Sequence, residues 1–316
     1  MIRNVAAQAQ GAYGTSSVPT REKSPVEGML GKSVDSKFRE RILKDLAKLP
    51  PGAVSKLQED GWKVELVDYS DKANGCKDGG KCRTEAKIVE LDRAAYEDDK
   101  DGKILLHEMA HALDFKGCEA PGLLRKLMGV QGKAIMGTDK NAAFGAVYQK
   151  FQAQHMVSVA QQALKIRQER DPQANQVNFS TPFQGDLNAA VVQGKLVVMA
   201  DTNQSANQAK SLGINTAVGP MPEKLEINGV QIKNSLAEQH YAVTVVDQKD
   251  AAKLSTAWTG CDSYVASSHL PSELYAEGVA AYLGSPESRR ELQQQSPEVH
   301  AFVEQAMNEF LIAGPR

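Results

Sequence analysis

Three residues within one short segment have the types and the spacing that metal-assisted hydrolysis needs. The segment is His107-Glu108-Met109-Ala110-His111. On a helix, residues four positions apart lie on one face, one turn apart, so the imidazoles of His107 and His111 can bind one metal ion together. Zinc suits such a pair, and Glu108 beside the first histidine can act as general base towards a zinc-bound water. The segment therefore predicts one Zn²⁺ ion with His107 and His111 as ligands.

The residues around this segment predict the helix on which it must lie. Acidic and helix-breaking residues at 98–102 precede it, and aspartates at a helix start favour the positive end of the helix dipole. The apolar residues of KILLHEMAHALDF predict a largely buried helix that stops at Gly117. The alternative interpretation is a core helix with two ordinary histidines.

A catalytic zinc site needs a third protein ligand, and a second pair of residues at helical spacing offers one. Pro271-Ser272 introduces a segment that predicts a helix stopping near Gly284. Glu273 and Glu277 lie four positions apart on it, so one carboxylate can bind the metal while the other supports a metal-bound histidine. Taken alone, the pair is more typical of solvated carboxylates on a surface helix.

The remaining sequence predicts the elements that surround these two helices. Residues 36–60 have helical spacing, with a break at Pro50-Pro51. Residues 62–67 and 86–91 predict two strands, which we expect to form a hairpin or a short sheet ahead of the zinc helix. Ser296-Pro297 opens a last helix with apolar residues along one face.

With these motifs the chain resembles the anthrax lethal factor family and its relatives, the Pro-Pro endopeptidases. The resemblance rests on HEMAHALDF and on the later segment DSYVASSHLPSELYAEGVAAYL. It implies that Glu273 is the third zinc ligand and that Asp114, three residues after the second histidine, belongs to the zinc helix motif and supports the site. It also implies that the hydroxyl of Tyr264 helps to stabilise the oxyanion, with Tyr275 and Tyr241 as alternatives.

The resemblance covers residues 37–118 and 256–312, and it leaves a long segment between them unexplained. His111 and Glu273 are 162 positions apart (273 minus 111), whereas the two motifs of the family lie some tens of residues apart. Residues 123–170 are mainly helical in pattern, and short strand-like runs such as 195–199 and 241–246 follow.

These patterns predict an α+β fold. We expect a mainly helical zincin-type metallopeptidase domain with a small sheet before the HExxH helix, plus an inserted region of mixed helix and strand. The expected division of the chain is a flexible leader at 1–30, the metallopeptidase domain at 31–119 and 256–316, and the inserted region at 120–255.

The activity that the resemblance implies is that of a zinc-dependent endopeptidase of the gluzincin type. Its partner would be a protein or peptide substrate, such as a host protein cut by a secreted bacterial effector or toxin. Gly137-Thr138-Asp139 leaves a second assignment open, because it is similar to the segment in which aspzincins carry a zinc-binding aspartate. A catalytically silent binding module and a zinc amidase or deformylase also remain open.

Composition excludes several other classes of function. The formal net charge is -2, which gives no reason to expect nucleic acid or an anionic membrane as partner. No apolar stretch approaches the length of a membrane span. The first 25 or so residues lack the apolar core of a signal peptide, so we expect secretion without a cleavable signal, or otherwise a cytoplasmic protein.

The four cysteines are too few for a scaffold built from disulfides. Cys76 and Cys82 flank a Gly-Gly turn and are predicted to be either free thiols or one loop disulfide. The state of Cys118 and Cys261 is left open, as is the oligomeric state of the protein.

Overall fold

The computed structural model describes nine stretches of the chain, and these form a mixed α+β structure. The described residues are 25–69, 79–118, 134–181, 185–201, 216–220, 224–227, 230–233, 240–249 and 270–312. The prediction of an α+β class is confirmed at this level.

The chain begins with two helices and three strands, after a 3-10 turn at Pro25–Met29. In chain order they are α1 (Ser36–Leu46), α2 (Pro51–Glu59), β1 (Lys63–Val67), β2 (Gly80–Arg83) and β3 (Ile88–Asp92). The Asp35 carboxylate caps α1 by accepting from the backbone N–H groups of Lys37 and Phe38. The predicted break at Pro50-Pro51 is confirmed, because Pro51 is the first residue of α2, where its missing N–H costs nothing.

The three strands form one sheet in the order β1-β3-β2. β1 and β3, the two predicted strands, pair in parallel with Val64 opposite Val89, so they form a short sheet and not a hairpin. β2 pairs antiparallel with β3 and occupies an edge. β2 was not predicted, since Gly80-Lys-Cys-Arg contains none of the β-branched or aromatic residues that favour strands.

The next elements carry the His107–His111 segment. They are α3 (Arg93–Asp98), α4 (Lys103–Asp114), β4 (Phe115–Cys118) and β5 (Ala134–Met136). The predicted end of α4 at Gly117 was wrong by three residues, because Phe115 leaves the helix to pair with Met136. Gly102 precedes α4 with φ of 67°, a conformation that glycine adopts without strain, and an added Cβ would lie 2.3 Å from the Asp45 carboxyl carbon.

A long helix and seven further strands lie within the predicted inserted region, after β5. They are α5 (Ala142–Arg170), β6 (Gln176–Thr181), β7 (Gly185–Val192), β8 (Lys195–Asp201), β9 (Thr216–Pro220), β10 (Lys224–Ile227), β11 (Val230–Lys233) and β12 (His240–Asp247). Five of the strands form an antiparallel sheet in the order β6-β7-β8-β12-β9, and β10 pairs with β11. α5 contacts strands β6, β7 and β8, so helix and sheet form one packed unit.

Three consecutive helices complete the described chain. They are α6 (Pro271–Gly284), α7 (Pro286–Gln295) and α8 (Pro297–Ile312). The predicted end of α6 near Gly284 is confirmed, and so is the start of the last helix at Pro297. Within the described residues, every helix is too short or too polar to cross a lipid bilayer.

Two clusters of buried apolar side chains lie on either side of the contact between α4 and α6. The first core joins α1, α2, the three-stranded sheet and most of α4, and the second joins the start of α5 with α6, α7 and α8. Each of these two helices contributes one alanine to the opposite core, Ala110 of α4 to the second and Ala280 of α6 to the first. Small side chains permit a close approach of the two helix backbones at this contact.

Candidate metal centre

The packing of α4 against α6 brings together the three predicted metal ligands. Nε2 of His107 lies 3.1 Å from Nε2 of His111, and each of these nitrogens lies 3.5 Å from Oε2 of Glu273. All three ligand atoms lie within 4.8 Å of one another, and across the described ranges no other group of histidine, cysteine and acidic residues does so. The residues could therefore hold one metal ion.

Glu277 contacts the opposite side of the His107 ring. Its Oε1 lies 3.1 Å from Nδ1 of His107, one helical turn beyond Glu273. A carboxylate on one ring nitrogen fixes the orientation and the tautomer of the imidazole, which leaves the other nitrogen free to bind a metal. The division of roles predicted for the two glutamates thus matches their positions.

The charges of these groups reinforce one another. Burial disfavours the charged imidazolium of His107, but hydrogen bonds to Glu273 and Glu277 outweigh burial and raise the pKa of His107 well above its ordinary value. Burial likewise disfavours the charged Glu273 carboxylate, yet hydrogen bonds from His107 and His111 hold its pKa far below the usual range. Glu273 is therefore anionic, as a metal ligand must be.

Glu108 lies on the side of α4 that faces strand β2. An added Cβ on Gly80 would lie 2.8 Å from Cγ of Glu108, so only glycine permits this approach. The backbone N–H of Cys82, also on β2, donates a hydrogen bond to the Glu108 carboxylate. In the antiparallel pairing of β2 with β3 the hydrogen-bonded pairs alternate, beginning with the bond from the Asp92 N–H to the Gly79 carbonyl. The N–H of Cys82 therefore points away from β3 and is free to bond to Glu108.

Burial dominates the ionisation of Glu108. It raises the pKa of the carboxyl, against the opposing effect of the positive charge at His107 and His111 and of the Cys82 N–H. A carboxylate whose pKa is raised towards neutrality accepts and returns a proton more readily than an ordinary glutamate.

Asp114 lies at the end of α4, and its side chain forms hydrogen bonds with Thr138 and not with either histidine. Its carboxylate oxygens accept from the backbone N–H of Thr138, at 3.0 and 3.2 Å, and one of them also accepts from the Thr138 hydroxyl. Burial raises the pKa of Asp114, and the bonds from Thr138 oppose that shift. The structure therefore connects Asp114 with Thr138, and the supporting role of Asp114 at the site stays a prediction.

Asp139 is placed away from the three clustered ligand atoms. Its Oδ1 accepts from the backbone N–H of Ser272 at 3.0 Å, and it is not a member of the metal-binding group found among the described residues. The alternative in which Asp139 is the third ligand therefore lacks the required geometry. The sequence analysis noticed Thr138 and Asp139 through a motif similarity, but it missed their contacts with Asp114 and Ser272.

Of the three tyrosines predicted as oxyanion donors, only Tyr275 has a side chain among the described residues. Tyr264 lies outside the described residues, and Tyr241 is on β12, where its side chain is likewise outside them. Tyr275 is buried in the second core with its ring edge-on to Phe144 and Phe302, at centroid distances of 6.1 and 6.2 Å. Burial, followed by the charges of Asp114 and Glu309, raises the pKa of Tyr275.

Two of the four cysteines are described. Cys82 and Cys118 are free thiols, and Cys76 and Cys261 lie outside the described residues. Burial and the neighbouring Glu108 carboxylate raise the pKa of Cys82, which keeps its thiol protonated.

Two imidazoles and one carboxylate could thus hold a metal ion, and the Glu108 carboxyl lies near enough to them for their charges to act on its pKa. Comparison of the chain with protein-family models, curated proteins and solved structures gives no match.

Proposed function

We propose that the chain is a zinc-dependent endopeptidase of the gluzincin type, with a zincin fold resembling that of the lethal factor family. His107, His111 and Glu273 would hold the zinc ion, and Glu108 would be the general base. One observation carries this proposal. Glu273 lies beside both histidines, although it is 162 positions after His111 in the sequence (273 minus 111).

The distances between the ligand atoms fit zinc. With bonds of about 2.0–2.1 Å, tetrahedral geometry requires ligand atoms about 3.3–3.4 Å apart. The measured separations of 3.1, 3.5 and 3.5 Å bracket that value. Two imidazoles and one carboxylate are also a donor set that zinc enzymes use, with a further position left for water or substrate.

The chain's own residues supply the remaining steps of amide hydrolysis. When bound, zinc polarises a scissile carbonyl and lowers the pKa of water to about 7. Glu108 accepts the water proton on its carboxylate and donates it to the departing amine nitrogen, so one residue serves as base and then as acid. Glu277 holds the Nδ1–H of His107 throughout. Tyr264 is the oxyanion donor that the resemblance implies.

The substrate class comes from the resemblance. It supports a protein or peptide substrate cut near proline residues, such as a host protein exposed to a secreted bacterial effector.

Replacement of Glu108 by glutamine tests the chemistry. Wild type, Glu108→Gln and the exposed control Glu304→Gln are assayed for bound metal and for cleavage of a peptide library that includes proline-containing sequences. We expect all three proteins to bind zinc, the wild type and Glu304→Gln to cleave, and Glu108→Gln to lose cleavage, since glutamine cannot accept the proton.

Other outcomes would replace the proposal. Equal cleavage by Glu108→Gln excludes Glu108 as the base. Zinc binding without cleavage of any peptide assigns a catalytically silent module, and hydrolysis confined to small amides assigns an amidase or deformylase. A protein that binds no zinc is not a zinc peptidase.

A further inference from the structure

The 3-10 turn Thr138–Lys140, at the start of the predicted inserted region, contacts both helices that carry the metal ligands. Thr138 hydrogen-bonds to Asp114 at the end of α4, and Asp139 hydrogen-bonds to Ser272 at the start of α6. We propose that Thr138 and Asp139 are positioning residues that fix the separation and register of α4 and α6, and hence the distance of Glu273 from the two histidines. This inference rests on the proposed metal site.

The segment at Gly137 and Thr138 packs closely against the end of α4. The backbone N–H of Gly137 donates to the Asp114 carbonyl at 2.8 Å, and the next residue, Thr138, donates to the Asp114 side chain. An added Cβ on Gly137 would lie 2.8 Å from Oδ1 of Asp114 and 2.7 Å from Cε of Lys116, so a side chain there would displace the Asp114 carboxylate or the end of the Lys116 side chain. Asp114 lies three residues after His111, within the same helical turn.

The contact with α6 replaces a missing helix cap. Leu270, which precedes α6, has no side chain able to cap it, and Pro271 has no N–H. The first free N–H of α6 belongs to Ser272, and its acceptor is the Asp139 carboxylate, 133 positions away in sequence. A carboxylate at this end also interacts favourably with the helix dipole. Asp139 thus acts as the N-cap of α6 from a distant segment.

The metal ligand is the next residue after that contact. Glu273 follows Ser272 directly, and its own N–H donates back to the Leu270 carbonyl at 3.1 Å. Loss of the Asp139 bond would therefore loosen the turn that carries Glu273, while His107 and His111 precede Asp114, the residue of α4 that contacts Thr138. Helix caps usually act within one helix, whereas this one ties the third ligand to the helix of the first two.

Thr138 and Asp139, with their contacts to α4 and α6, form a bridge between the two helices. The zinc affinity of the whole chain tests this bridge without reference to peptidase activity. Zinc dissociation constants are measured by competition with a chromophoric chelator, and the absorption spectrum of the Co²⁺-loaded protein reports coordination geometry. For Asp139→Ala we expect a ~10–100-fold weaker zinc affinity, the range typical of residues that orient metal ligands, and an altered Co²⁺ spectrum. Asp139→Asn keeps an oxygen acceptor and should restore both, because asparagine caps helices as well as aspartate does.

A matched control separates positioning from a general loss of stability. Asp35 caps α1 with the same kind of carboxylate bond, so Asp35→Ala should lower the unfolding temperature and leave the zinc affinity unchanged. Thr138→Val keeps the backbone donor and loses the hydroxyl, and it should weaken zinc binding less than Asp139→Ala does.

The outcomes distinguish the bridge from the peptidase. Wild-type affinity in both Asp139→Ala and Thr138→Val overturns the bridge, as does an equal loss in Asp35→Ala. A wild-type protein that binds zinc and cleaves nothing overturns the proposed activity and leaves the bridge standing. A wild type that binds neither zinc nor Co²⁺ overturns both.

Discussion

The two ligand-bearing helices, α4 and α6, are fixed by different means. α4 is held by its own neighbourhood, because most of its buried residues pack into the first core with α1, α2 and the sheet, all of which lie within about 80 residues of it in sequence. α6 belongs to the second core, and at its N-terminal end the N–H of Ser272 donates a hydrogen bond to the Asp139 carboxylate. The difference shows that the α4 part of the candidate site depends mainly on contacts with segments nearby in the sequence, whereas the start of α6 depends on a contact with a residue 133 positions away.

The sharpest test of this comparison is a pair of conservative changes on α6. Glu273→Gln should reduce zinc affinity by more than the ~10–100-fold expected for Glu277→Gln, because the first removes a charged ligand and the second an outer hydrogen-bond partner of His107. Chelator competition measures both constants. The reverse order would exchange the roles of the two glutamates.

Strand β2 belongs to the α4 side, and Gly80→Ala tests what it contributes. The added Cβ would displace the Glu108 carboxylate or the strand, and a misplacement of about 1 Å can cost ~10²-fold in rate. We expect hydrolysis to fall towards that limit while bound zinc stays at the wild-type amount. Gly145→Ala is the control, since a Cβ at Gly145 meets nothing within 4 Å. An unchanged rate in Gly80→Ala would show that β2 does not constrain Glu108.

Two buried alanines of α4 face the two different cores, so they offer a matched comparison. Ala110→Leu and Ala112→Leu should each destabilise the fold by about 1–3 kcal/mol through overpacking, as thermal or denaturant unfolding would show. Only Ala110→Leu should also weaken zinc binding, because Ala110 packs in the core that contains α6. Equal zinc affinity in the two variants would contradict the location of the site at the junction of the cores.

The smallest effect is expected at a carboxylate remote from the site. Glu65 on β1 accepts from the N–H groups of Lys32 and Ser33 and from the Ser33 hydroxyl. Burial favours the neutral acid, but these bonds outweigh it and lower the pKa of Glu65. Glu65→Gln should cost about 1 kcal/mol of stability at neutral pH with no change in zinc affinity.

The pH dependence of that cost has a fixed sign. A lowered folded-state pKa contributes stability that is fully present above the unfolded value of about 4.3 and is lost as the pH falls through the folded value. Unfolding free energies of wild type and Glu65→Gln should therefore converge in acid. A difference that grows as the pH falls would exclude the carboxylate as its source.

The sequence predicted most of what depends on local patterns. The start of α2 follows from Pro51, the end of α6 from Gly284, and the pairing of His107 with His111 from their spacing on one helix. Glu273 was predicted from its helical spacing and from the resemblance, and the structure places it beside both histidines. The assignment of Tyr264 stays a prediction.

The missed features depend on contacts between distant segments. The parallel pairing of β1 with β3 requires a crossover that neither strand encodes, and β2 is a strand because it pairs with β3 in spite of its weak propensity. The contact between Asp139 and Ser272 was not predicted, because the two residues lie on segments far apart in the sequence. Hydrogen bonds that join residues 133 positions apart have no periodicity to reveal them.

The bond between Asp139 and Ser272 also bears on how a chain of this kind can change length. After Asp139 the chain continues into the start of α5, which packs against α6 in the second core, and Asp139 and Ser272 are themselves joined by a contact of 3.0 Å. The two ends of the intervening segment therefore lie close together, and the entropic cost of closing a longer loop rises only slowly with length. The part of this segment that lies beyond the start of α5 and does not contact the site could therefore be shortened, lengthened or exchanged over evolutionary time without altering the contact between Asp139 and Ser272.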